Sequence, residues 1–153
     1  MSVIERLRAL DIELPQPLAP VANYVPFMRD GNLVHISGQL SMDKHGGVRG
    51  VVGDEVDIEL AAHGARLCGI NLIAQFRAAC DGDLGRVQQV LRLGGFVRTH
   101  GAFDRIPQVM NGCSDLMVEV FGDAGRHARS AVGVYQLPMG HAVEVEALIR
   151  IAD

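Results

Sequence analysis

Lysine is almost missing from this sequence. Lys44 stands alone among 153 residues, and the other strongly basic side chains are arginines. Schiff-base chemistry therefore has one candidate, on a loop-like stretch. Cysteine is scarce and oddly numbered. Cys68, Cys80 and Cys113 form no CxxC pair, which argues against a disulfide framework or a zinc site. All three fall on predicted helices among apolar neighbours, where a free cysteine serves as a small buried hydrophobe. No stretch approaches the ~20 apolar residues of a membrane span. The first ten residues carry neither a long apolar run nor a cleavage pattern, so no secretory signal is expected and a reducing cytoplasm is the default. Positive charge is in deficit too. Fourteen Lys and Arg face eighteen Asp and Glu, for a formal net charge of −4. Such a chain lacks global attraction for a phosphate backbone, and no basic, aromatic-rich stretch supplies a local one. There is no collagen-like period, linker block, GxSxG elbow or GK[ST] phosphate loop.

What remains is a well-mixed globular composition, 48% hydrophobic and 21% charged. It is enough for one domain with its own core, spanning residues 1–153. Residues 2–10 read as a short amphipathic helix with Ser2 and Glu5 in capping-box spacing. Pro15, Pro17 and Pro20 make the next segment an extended lead-in, so 1–18 precede the main body. A strand over 24–28, a turn at 29–32 and a strand over 33–37 predict a hairpin. A short third strand is expected at 48–52, after the His45-Gly46-Gly47 turn. Ile58, Ala61, Ala65, Cys68, Leu72, Phe76 and Ala79 recur every three or four residues, predicting a helix over 57–80. A strand over 87–99, bulged at Gly94-Gly95, and a helix over 103–121 follow. Two strands, 130–136 and 142–151, close the chain around a turn at 137–140. In the last strand Val143, Val145, Ala147, Ile149 and Ile151 alternate with Glu144, Glu146, Leu148 and Arg150. The order predicts an α+β fold, a mixed sheet with two helices on one face. The other sheet face is not uniformly polar, which favours an oligomer with those faces turned inward.

The densest chemical signal is at the C-terminus. Arg129 opens a strand after a glycine-rich turn. Glu144 and Glu146, two apart, project from one sheet face and repel. On a secluded face one of them gains a raised pKa and exchanges protons near neutrality. A nearby arginine can grip a carboxylate with two parallel hydrogen bonds. Spacing alone fits a surface Arg–Glu cross-strand pair as well. No two of the six histidines have metal-ligand spacing, and each reads as an ordinary loop or surface residue.

Arg129-Ser130, a hydrophobic strand, Leu137-Pro138 and the Val143-Glu144-Val145-Glu146 strand together resemble the C-terminal signature of the Rid family. These are the reactive intermediate deaminases, also called YjgF-like or L-PSP proteins. Upstream, Ala19-Pro20 leading to Tyr24, the Ser37-Gly38-Gln39 segment and Met110-Asn111 fit the same family in order, over about residues 19–152. The resemblance implies a chorismate-mutase-like fold, a homotrimer with clefts between subunits, and no cofactor or metal. It implies hydrolysis of enamines and imines such as 2-aminoacrylate to a 2-keto acid and ammonia. Arg129 would bind the substrate carboxylate and Glu144 would activate water. Tyr24, Ser37, Asn111 and Ser130 would line the pocket, and Gly38 would allow close backbone approach. Three departures mark a divergent subgroup, one being the N-terminal helix and the length of 153 residues, which exceed the compact family form. Ala131 stands where relatives often carry cysteine, and His127 where a small residue or proline is usual. The same cleft could instead hold a small carboxylate without turnover, as a regulatory binding protein. Endoribonuclease activity or translation inhibition, attributed to some relatives, fits the acidic balance least.

Overall fold

Local patterning sets most elements of the chain. In the computed structural model, which describes residues 1–17 and 22–153, Ser2 caps helix α1 (Val3–Ala9). Its hydroxyl accepts from Glu5 N at 3.2 Å, and its own N–H donates to Glu5 Oε2 at 2.7 Å, completing the expected box. Leu18 of the lead-in and the Ala19-Pro20 pair lie outside the described residues. Strands β1 (Phe27–Asp30) and β2 (Leu33–Leu40) form the predicted hairpin. Gly31, at φ +61°, makes the turn that pairs Asp30 with Leu33. Tyr24 falls upstream of β1 rather than within it.

Helix α2 (Ile58–Ala79) begins where Asp57 accepts from Leu60 N at 2.8 Å. From Ala61 to Ala79 its predicted stripe is buried. Helix α3 (Ile106–Phe121) starts three residues later than predicted, with Pro107 in its first turn, where a missing N–H costs nothing. The two helices approach closely. A methyl on Gly112 would land on the Ala62 carbonyl, and one on Gly69 would meet Leu116 Cδ2 at 2.8 Å. The three cysteines are free and buried as expected. Burial raises the Cys68 thiol well above its usual range and lifts Cys113 to about 12, so neither is a thiolate near neutrality.

Strands β3 (Val87–Arg98), β4 (Ala128–Val134) and β5 (Val143–Ile151) complete a mixed sheet in the order β1-β2-β5-β3-β4. Only β3 and β4 are parallel. Val143, Val145, Ile149 and Ile151 are fully buried, with β5 packed against α2 while α3 covers β3 and β4, and the α+β expectation holds.

Four expectations are corrected. The last two strands are not a hairpin: β3 lies between them, its backbone pairing antiparallel with β5 along one edge and parallel with β4 along the other. Residues 48–52 make only isolated bridges, Arg49 to His141 and Val52 to Thr99 and Val56. Gly46, Gly47, Gly50 and Gly53 all take positive φ and interrupt the extended backbone. The β3 irregularities sit between Val87 and Gln89 and between Val90 and Arg92, not at Gly94-Gly95. His141 is no surface residue. It is fully buried, with Nδ1 3.2 Å from the Ser41 carbonyl, and burial lowers its pKa.

Candidate functional site

The proposed site residues divide between the two sides of the sheet. Strand β4 is an edge, and its register pairs Arg129 with Leu93, a fully buried core residue on the helix side. Arg129 therefore points toward the helix layer. At the sheet edge it meets α3 rather than the core. Nη1 donates to Asn111 Oδ1 at 3.0 Å and to Ser114 Oγ at 3.1 Å, and Nη2 donates to the Pro107 carbonyl at 3.4 Å. Residues 107, 111 and 114 share one stripe of α3, which is why one guanidinium reaches all three. Ser114 in turn lies 2.8 Å from His127 Nε2, and His127 Nδ1 lies 2.6 Å from the Gly125 carbonyl.

Ser130, next in sequence, faces the other way by strand alternation. Its hydroxyl accepts from Arg92 at 3.1 and 3.3 Å, so it does not join Arg129.

On the open face, Glu144 pairs with Phe96 of β3 and Leu40 of β2, and Glu146 with Gly94. Glycines clear the space these carboxylates fill. A methyl on Gly38 would sit 2.5 Å from Glu144 Oε1, and one on Gly94 would sit 2.8 Å from Glu146 Oε1. The register of β2 shifts between Ile36 and Gln39, so the Ser37-Gly38 step is a bulge beside the two acids. Burial, with Glu146 adding like charge, raises the Glu144 pKa above the usual carboxylate range. Ser37 is tied into the turn before β1: its hydroxyl donates to the Val25 carbonyl at 2.7 Å. An open depression of about 490 Å³ is lined by Tyr24, Ser37, His35 and Glu146 among others.

Tyr24, Ser37, Gly38 and the two glutamates thus gather on the open face. Arg129 and Asn111 gather at the helix-side edge. Within one chain Arg129 and Glu144 face opposite sides of the sheet. Ser114 escaped the sequence reading as a site group, whereas His127 was read as flanking the site strands. The signal for Ser114 was its place three residues after Asn111, on the same helical stripe. Among the described residues no cluster of three metal-ligating side chains occurs, and no helix is long and apolar enough to cross a membrane.

The profile of the family described as "YjgF/chorismate_mutase-like, putative endoribonuclease" matches residues 4–147. The chain is 43% identical to Protein TCP17 of Trypanosoma cruzi over 151 residues, covering 97% of this chain and 94% of that one. It is 27% identical over 139 residues to a 2-iminobutanoate/2-iminopropanoate deaminase of Dermatophagoides farinae, covering 90% of each. A crystal structure of a protein of unknown function from Agrobacterium tumefaciens is 42% identical. It superposes with a TM-score of 0.92 over 98% of this chain and 92% of that one.

Proposed function

Because the chain belongs to the YjgF/chorismate-mutase-like family, we propose that it is an enamine/imine deaminase acting on small 2-imino acids of the 2-aminoacrylate type. The observation that carries this function is Glu144. It is an acid with a raised pKa, seated against the backbone of Gly38, where any Cβ would collide with its carboxyl. Such a group exchanges protons more readily near neutrality than an ordinary surface carboxylate.

The chemistry asks little of the protein. An imine carbon is already electrophilic. Water adds to the protonated imine, the ionised Glu144 takes the water proton, and a neutral carbinolamine forms. Glu144 returns the proton to nitrogen, the C–N bond breaks to release ammonia, and the carbinolamine hydroxyl gives its proton back to the Glu144 carboxylate, leaving the 2-keto acid. Arg129 anchors the substrate carboxylate and removes the orientational cost of bringing carbon and water together. Tyr24, Ser37 and Asn111 line the pocket. Ser130, held by Arg92 on the far face from its neighbour Arg129, takes no direct part with it.

This function needs a second copy of the chain. The edge that carries Arg129 must meet the open sheet face of a neighbour, as it would in a cytoplasmic homotrimer with clefts between subunits. The open face offers apolar surface for such contact, Met28 at 60% and Val132 at 47% exposure. The deaminase relative supports the same reaction class. The carboxylate-binding alternative is favoured by Ala131, which offers no thiol to a ligand.

A dehydratase that releases 2-aminoacrylate, coupled to a keto-acid readout, tests the activity. Added protein should accelerate 2-keto acid release beyond buffer, and Arg129→Ala should raise KM about 10- to 100-fold, the range for a lost pair of charge-assisted hydrogen bonds. An Arg129→Ala variant as active as wild type would sink the proposal. Saturable binding of 2-oxobutanoate without acceleration would establish the binding protein in place of the enzyme. RNA cleavage that tracks the oligomer through purification would support the ribonuclease.

A further inference from the structure

The Arg129 guanidinium is held by a chain of hydrogen bonds whose direction is set at each joint. A guanidinium has five N–H donors. Nη1 gives both of its hydrogens to Asn111 and Ser114, and Nη2 gives one to the Pro107 carbonyl. Nε–H and the second Nη2–H have no partner among the described residues, which is enough for a two-point carboxylate contact. The orientation of that leftover pair depends on the three anchors.

Of these anchors, Ser114 is the least secure by itself. A helical serine can turn its hydroxyl onto the carbonyl four residues back, which redirects its lone pairs. His127 prevents this. The Gly125 carbonyl can only accept, so His127 Nδ1 carries the hydrogen at that 2.6 Å contact. With the ring in its neutral form, Nε2 carries a bare lone pair 2.8 Å from Ser114 Oγ, and the serine O–H donates to it. With its own hydrogen committed to His127, Ser114 must present a lone pair to Arg129 Nη1.

We propose that His127, acting through Ser114, is a positioning residue that fixes the Arg129 guanidinium so that the site selects carboxylate ligands over neutral ones. This rests on Arg129 being the carboxylate anchor. It assigns substrate selectivity to two residues that touch the ligand only through a third.

The test is calorimetric titration of the full-length protein with 2-oxobutanoate and with its neutral amide, 2-oxobutanamide. Wild type should prefer the acid. Ser114→Ala should weaken the acid about tenfold, the size of one charge-assisted hydrogen bond, and leave amide affinity unchanged. His127→Asn keeps a donor toward Gly125 but lacks an acceptor within reach of Ser114, and should behave like Ser114→Ala. His127→Gln places an amide oxygen near the position of Nε2, and Ser114→Thr keeps the hydroxyl, so both should hold the wild-type ratio. Ser114→Cys preserves shape while losing most of the hydrogen bonding, and reads the same joint if Ser114→Ala does not fold. A purely structural role would weaken acid and amide together, and that result overturns the proposal. It is overturned equally if Arg129→Ala abolishes the preference while Ser114→Ala and His127→Asn keep it, and Arg129 then stands as the anchor without them. If Arg129→Ala leaves the preference intact, the anchor itself fails and the positioning role falls with it.

Discussion

Arg129 and Glu144 are held in place by opposite means. At the helix-side edge, polar groups of α3 grip the guanidinium through three hydrogen bonds. On the open face the Glu144 carboxyl is seated by clearance: Gly38 leaves room for it, and burial with Glu146 nearby disfavours its charge. The first arrangement satisfies donors and preserves a charge. The second withholds solvation and makes a charge easier to lose. An anion anchor needs the former, and a proton-transfer group needs the latter. One chain can build both without their meeting, because strand alternation sends them to opposite sides of the same sheet.

The largest effect expected from this division is complementation. Assayed at substrate well below KM, Arg129→Ala and Glu144→Gln chains should each be nearly inactive. Unfolded together and refolded at equal amounts, they should regain about a quarter of the wild-type rate, the share of interfaces in randomly mixed cyclic trimers that pair an intact arginine with an intact glutamate. No recovery in verified mixed oligomers would break the idea of a site shared between copies.

Glu144→Gln alone comes next. Its kcat should fall about 100-fold or more, as for loss of a general acid–base group, with KM little changed, in contrast to the KM effect of Arg129→Ala. Steady-state kinetics of the two variants side by side would separate the roles or merge them.

Gly38→Ala probes clearance directly. The added methyl should push the Glu144 carboxyl from its seat and destabilise the fold by about 1–3 kcal/mol, read by denaturant unfolding. Gly31→Ala makes an informative contrast. There a methyl meets nothing within 4 Å, and the strain comes from the positive φ alone.

The smallest effect is in pH dependence. The folded pKa of Glu144 lies above its unfolded value, so the folded chain binds its proton more tightly. The stability this contributes is fully present below the unfolded pKa and is lost as pH rises through the raised folded value. Relative to wild type, Glu144→Gln should therefore gain stability as pH rises through that window. His141 runs the other way. Its lowered folded pKa favours the neutral ring, so its contribution is lost as pH falls below the ordinary histidine range. Unfolding curves of wild type and variant across the acid range would show whether the difference follows Glu144.

Much of the fold was legible because it was local. The stripe on α2 and the alternation of β5 were read residue by residue, and both are buried as written from Ala61 and Val143 onward. The Ser2–Glu5 cap was legible for the same reason. The hairpin assumed for the last two strands was not, since β3 enters between them from far back in the chain. Within the candidate site, Gly38 was expected to let the backbone approach a ligand closely, and in the structure the space beside it is filled by the Glu144 carboxyl. Asn111 was foreseen as a pocket residue and His127 as a group flanking the site strands, but Ser114 and its bond to His127 were not. That bond depends on where the turn after α3 returns the chain, and no periodicity reports that.

The amino-acid sequence by itself determined which residues of each helix and strand turn inward, because side-chain direction repeats with the backbone period and needs only near neighbours. Which strands lie side by side was decided only in the tertiary structure, and with it the placing of Arg129 and Glu144 on opposite faces. Strand order and register come from pairing segments distant in the chain, and that pairing is selected by the shared burial of the whole core rather than by any one stretch of residues.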